Sequence, residues 1–193
     1  MEFNQKEWFG NWESFENYIE STNEKIIENW KEAESLSKVM PMFSKGVKAF
    51  WQSACYTTSN ENNKQVDKWN ITSNDNGLNI EWIFKDGTSL VTSYKLDSIV
   101  EKGLENKESF LFADDSRSDA FKYMLAMAPM PSKGTTDLLS HFHFQYASNV
   151  SKLIKDDKLV NSMWYATMVD SEGTLLQKCN LLRALHRLPK IEK

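Results

Sequence analysis

A period-two alternation of apolar and polar residues runs through the middle of the chain, and it limits the fold more than any other feature. Residues 66–72 alternate as a strand, and Asn74-Asp75-Asn76-Gly77 follows as a tight turn, because Asn and Gly tolerate the positive φ that hairpin turns require. Residues 78–84 place Leu78, Ile80, Trp82 and Phe84 on one face. Asp86-Gly87 turns the chain again, and residues 88–96 place Leu90, Thr92 and Tyr94 on one face. The alternation resumes at 109–113, 121–128, 138–147 and 163–169, separated by a charged turn (102–107), a polar loop (114–119), a Pro/Gly loop (129–137) and a charged stretch (152–161). About seven strands joined by short turns predict an antiparallel meander. Such a meander closes into a barrel or a strongly curved sheet, which removes exposed edges.

Helical spacing flanks this region. Trp12, Phe15, Tyr18 and Ile19 predict a first amphipathic helix with Asn11 as a cap. Ile26, Ile27, Trp30 and Ala33 predict a second, with Ser21 and Glu24 as a capping box. A third short segment covers 46–56, with Val47, Phe50 and Trp51 on one side. Residues 170–186 read as a terminal helix with Leu175, Leu176, Cys179, Leu182 and Leu185 along its apolar side. The expected division is a helical region over 1–58, a barrel over 64–169 and a C-terminal helix over 170–188, all within one domain.

Composition narrows the function. The 7 Trp, 6 Tyr and 11 Phe demand burial, which excludes disorder. The net charge of -4, with no basic block, sets no expectation of a nucleic-acid partner. No run of about 18 apolar residues occurs, so no membrane partner is expected either. Met1-Glu2-Phe3-Asn4-Gln5-Lys6 lacks the basic start and apolar run of a signal peptide, so the chain is expected in the cytoplasm. Cys55 and Cys179 form neither a C-x-x-C pair nor a disulfide framework and read as buried thiols.

The candidate site is Ser140-His141-Phe142-His143-Phe144, which holds two of the three histidines. On a strand, residues i and i+2 face one way, roughly 6.6 Å apart. Two imidazoles so placed can converge on one tetrahedral ion at bonds of about 2.0–2.1 Å. Phe142, Phe144 and Tyr146 point the other way and would pack against helix or sheet, whereas the face of His141, His143 and Gln145 is polar and is expected to line an interior cavity. His186, near Arg183 and Arg187, reads as a solvated group facing a helix end. Asp114, Asp115 and Asp119 lack EF-hand spacing and read as a solvated loop. No G-x-S-x-G, P-loop or G-x-G-x-x-G occurs, and no catalytic set emerges, so a non-enzymatic role is expected.

The stretch Ser140-His141-Phe142-His143-Phe144-Gln145-Tyr146 resembles the strand motif of the ZinT (YodA) family, lipocalin-like zinc-recruitment proteins of bacteria. Trp8 with Gly10-Asn11-Trp12-Glu13-Ser14 resembles that family's N-terminal region; Ala128-Pro129 and Trp164-Tyr165 also fall in the family's order. The resemblance implies a calycin barrel with flanking helices that sequesters or recruits zinc through His141 and His143, and it implies relatives that can be exported. The family's third histidine falls at Leu125 here, which leaves Asp137 or another wall carboxylate, or water, to complete a zinc site. The alternative reading is a metal-free calycin-like module that holds a small apolar or aromatic ligand in a barrel lined by Trp82 and Tyr94.

Overall fold

The computed structural model describes residues 2–192. Strands β1 (Gly10–Ser14), β2 (Val66–Asn74), β3 (Gly77–Phe84), β4 (Ser89–Val100), β5 (Ser109–Ala113), β6 (Tyr123–Met127), β7 (His141–Ala147) and β10 (Ala166–Asp170) form a closed antiparallel barrel in the order β1-β10-β7-β6-β5-β4-β3-β2. The protein is thus mainly β, with a calycin/lipocalin-like barrel. The strands β8 (Ile154–Lys155) and β9 (Lys158–Leu159) make a small separate hairpin within the predicted charged stretch. The helices are α1 (Glu16–Ile19), α2 (Glu24–Glu34), α3 (Val47–Ala54) and α4 (Leu175–Leu185).

The eighth strand comes from the segment predicted as the first helix. Trp12 pairs with Trp69 on β2 and with Asp170 on β10, so β1 closes the barrel, and helix survives only as the single turn of α1. The aromatic spacing that suggested a helix is shared between a strand face and that turn: Trp12 lies in the barrel core, whereas Phe15, Tyr18 and Ile19 lie under the helices. At α2 the cap is Asn23, whose side chain accepts from the Lys25 N–H, and Ser21 instead accepts from the Asn23 N–H. The capping box expected at Ser21 and Glu24 does not form; one that was not expected occurs at α4, between Thr174 and Gln177.

Aromatic rings fill the barrel. Trp69 meets Trp82 at 4.5 Å and Phe144 at 4.4 Å between ring centroids; Trp82 also meets Tyr146 at 5.1 Å. Phe3 and Trp8 pack on Phe110 and Phe112 at the Phe142 end, and Phe121 stacks on Tyr146 at the other. Trp82 and Tyr94, expected to line a ligand cavity, are fully buried within this packing. The Trp82 indole donates to Thr92 at 3.0 Å and the Tyr94 hydroxyl donates to the Phe121 carbonyl at 2.6 Å. Most of these rings meet edge-on or tilted, while Phe121 and Phe144 stack on Tyr146.

A second core lies outside the wall, where Trp30, Phe43, Val47, Leu181 and Leu182 of the helical layer meet Leu139 and Val169. Both Cys55 and Cys179 are free and buried there, as expected. If β1 is integral to the barrel, Trp12→Ala will lower unfolding free energy in urea by about 3–5 kcal/mol, the usual cost of removing a buried Trp. The exposed Glu28→Ala on α2 is expected to stay within about 0.5 kcal/mol of the parent.

Candidate functional site

Strand β7 divides its side chains as alternation requires, but the faces are reversed from expectation. Phe142, Phe144 and Tyr146 point into the barrel, so His141, His143 and Gln145 lie on the outer wall. The apolar face belongs inside because large rings can fill the lumen, and His143 then comes to rest beside Phe50 and Trp51 of α3 and Glu105 of the β4–β5 loop. Gln145 is used structurally, donating to the carbonyls of Asn161 and Trp164 at 2.7 Å each.

His143 is 4% exposed and its ring is fixed at both nitrogens. The Thr167 hydroxyl donates to the Tyr165 carbonyl at 2.6 Å. Its single proton is thereby spent, so at 2.7 Å it accepts from the His143 Nδ1–H. The Cys55 thiol, 3.4 Å from the same oxygen, is the second donor. Burial raises that thiol's pKa and keeps it protonated. The other ring nitrogen, Nε2, faces Glu105 Oε1 at 3.2 Å, and it donates there when the ring carries both protons.

Glu105 was legible only as part of a charged turn. It sits on the β4–β5 loop, anchored by the fully buried Leu104, and reaches past β5 and β6 to β7. Its backbone is left-handed, with φ 53°, and Asn106 follows at φ 58°. Asn tolerates that region; Glu does so at a cost, which is the kind of strain retained where a side chain must be aimed. The hydrogen bond from His143, with Lys107 Nζ at 2.8 Å on the other oxygen, holds the Glu105 carboxyl down to about 2.

His141 lies 5.9 Å from His143 between ring centroids. It is half-buried, yet its Nδ1 is shut off from solvent and meets no hydrogen-bond partner. Burial, with the adjacent His143 second, pushes its pKa down to about 4. Leu125 faces the same way, since it pairs directly with Gln145, and is buried with Leu104, Leu111 and Leu153. Asp137 is elsewhere, on an exposed pair with Lys190 at 2.9 Å. Among the described residues, no three His, Cys, Asp or Glu side chains form a ready-made metal cage.

His186 was expected in solvent and is instead buried, at 3% exposure. Its Nδ1–H donates to the Leu182 carbonyl at 2.7 Å, and its Nε2 accepts from the Trp51 indole at 2.6 Å. With His143 it lines a chamber of about 310 Å³ between the helical layer and the barrel wall. A larger cavity, about 600 Å³, lies away from the histidines, beside Tyr56, Tyr146 and Trp164. Its charged groups, Glu61 and Lys152, already pair at 2.7 Å, so the smaller chamber carries the more distinctive chemistry. The polar loop 114–119 was expected in solvent, but Asp114 is buried and accepts from the N–H groups of Ser93 on β4 and of Ser116, while Asp119 pairs with Arg117.

The buried histidines make acid sensitivity a signature of this site. Protonation costs less in the unfolded chain, where a histidine titrates near 6.5, than in the fold, where His141 titrates near 4. Stability is therefore complete above about pH 6.5 and falls as pH drops toward 4. Burial lowers the pKa of His186 as well, with the same sign. Thermal melts between pH 7.5 and 4 are expected to show this loss, and His141→Asn and His186→Asn should each flatten part of the slope. Comparisons with family models, curated proteins and solved structures find no match to this chain, so its chemistry is read from the residues themselves.

Proposed function

We propose that the chain is a non-catalytic zinc-binding protein of the ZinT type, holding a divalent ion on the outer barrel wall through His141 and His143. The observation that supports this reading most is the edge formed by His143 Nε2 and Glu105 Oε1, 3.2 Å apart, beside the partnerless buried Nδ1 of His141. Adjacent donors on a tetrahedral zinc with bonds of about 2.0–2.1 Å stand about 3.3 Å apart, close to this spacing. The Thr167 contact to Nδ1–H is the kind of outer hydrogen bond that fixes the tautomer of a ligating histidine and raises its basicity. Glu105 takes the place that Leu125 cannot fill, and His141, whose ring centroid lies 5.9 Å from that of His143, completes the set by turning toward it.

Three protein donors with one position left to water suit an ion that must be released as well as held. Calorimetric titration of chelator-treated protein with zinc chloride is expected to give one site. His141→Ala and His143→Ala remove the saturable heat, and Glu105→Gln weakens binding by about tenfold or more, an effect on the scale of a lost ligand interaction. A titration with no heat, accompanied by no shift in melting temperature, rejects the reading.

A further inference from the structure

The chamber beside His143 has features that zinc binding does not use. Its lining includes Leu36, Phe43, Phe50, Leu185 and Arg187, none of which the zinc reading uses, beside Glu105 and His143, which it does. We propose that it is a second binding site, for a small organic anion with an apolar body, such as a medium-chain or aromatic carboxylate. A volume of about 310 Å³ falls at the lower end of ligand pockets, roughly 300–1,000 Å³.

The charge preference comes from Arg187. Of the chain's three arginines, Arg117 pairs with Asp119 and Arg183 with Glu32. Arg187 has no ion pair or hydrogen bond from its guanidinium among the described residues, and it stands at the chamber rim. The negative charge of Glu105 is already met by Lys107 at 2.8 Å, so the uncompensated charge is positive. A guanidinium presents a planar fork that fits a carboxylate in two parallel hydrogen bonds.

The backbone supports the same assignment. Arg187 follows the last turn of α4 at φ 54°, and the N–H groups of Arg187 and Leu188 close that turn on the carbonyls of Ala184 and Arg183. Glycine is the low-cost residue at such a position. Two charged residues, Glu105 and Arg187, therefore occupy left-handed backbone at the rim of one chamber, where strain is kept for the side chains it aims. The two histidines offer the ligand no free nitrogen, since His143 and His186 are each bonded at both ring nitrogens. They contribute ring surface, with Trp51 and Tyr165. The ligand's body thus meets apolar and aromatic walls, and its charge remains at the mouth.

The test uses chelator-treated protein, so that its outcome is independent of zinc. The fluorescent anion 8-anilinonaphthalene-1-sulfonate is titrated in, then displaced with octanoate. One saturable site, emptied by octanoate, is expected. Arg187→Gln and Arg187→Gly, the second of which also relaxes the backbone, should weaken both anions about tenfold, the scale of one charge-assisted hydrogen bond. The uncharged N-phenyl-1-naphthylamine should bind the parent and both variants equally. Leu36→Trp, which fills the chamber, should abolish binding of all three while circular dichroism and melting temperature hold. No saturable binding, equal anion affinity in the Arg187 variants, or binding that survives Leu36→Trp would each overturn the proposal. Zinc titration of the two Arg187 variants is expected to match the parent, which separates this site from the metal reading.

Discussion

The alternation of β7 is the constraint on which the rest of the molecule depends. Phe142, Phe144 and Tyr146 complete a lumen already crowded by Trp12, Trp69 and Trp82, and that burial is the largest apolar term available to the strand. Once those rings turn inward, His141 and His143 must turn outward. The polar side of the strand then needs cover, which the helical layer, the β4–β5 loop and Thr167 supply. The barrel core and the candidate site are two faces of one strand.

This coupling has an energetic side. A buried imidazole with a free nitrogen is costly, and each histidine but His141 has both nitrogens bonded. The partnerless Nδ1 of His141 is therefore the point where the fold leaves a polar group unsatisfied. Leu125 packs the neighbouring wall with carbon, so the group that approaches the pair is the flexible carboxylate of Glu105. The candidate centre consists of one fixed imidazole, one imidazole whose Nδ1 has no partner and one carboxylate on a strained turn.

Much of the barrel was legible because its signals are local. The Asn-Gly and Asp-Gly turns bracket β3, and period two identifies β2, β3, β5 and β7 within a few residues. β1 was not legible, because its five residues hold too few alternations to outweigh the helical spacing of Trp12, Phe15 and Ile19. Which side of β7 faces inward was also hidden: alternation says that two faces differ, and only closure of the sheet decides which becomes the lumen. Glu105 and Arg187 were hidden for a related reason. Each sits on a left-handed turn that Glu and Arg do not advertise, and Glu105 meets His143 far away in sequence.

The placement of β1 between β2 and β10 also has a consequence for how the chain is made. β2 to β7 follow in order and can zip as neighbouring hairpins while synthesis proceeds. The seam cannot close until β10 exists, because β1 needs both partners and they come from opposite parts of the chain. Through most of synthesis the nascent protein carries two open sheet edges and an uncovered set of tryptophans. Such edges recruit other strands, so the interval before closure is when this molecule is most exposed to aggregation. Long-range pairing of this kind also folds slowly. A protein whose mature form has no free barrel edge thus depends, early in its life, on its two ends finding each other promptly.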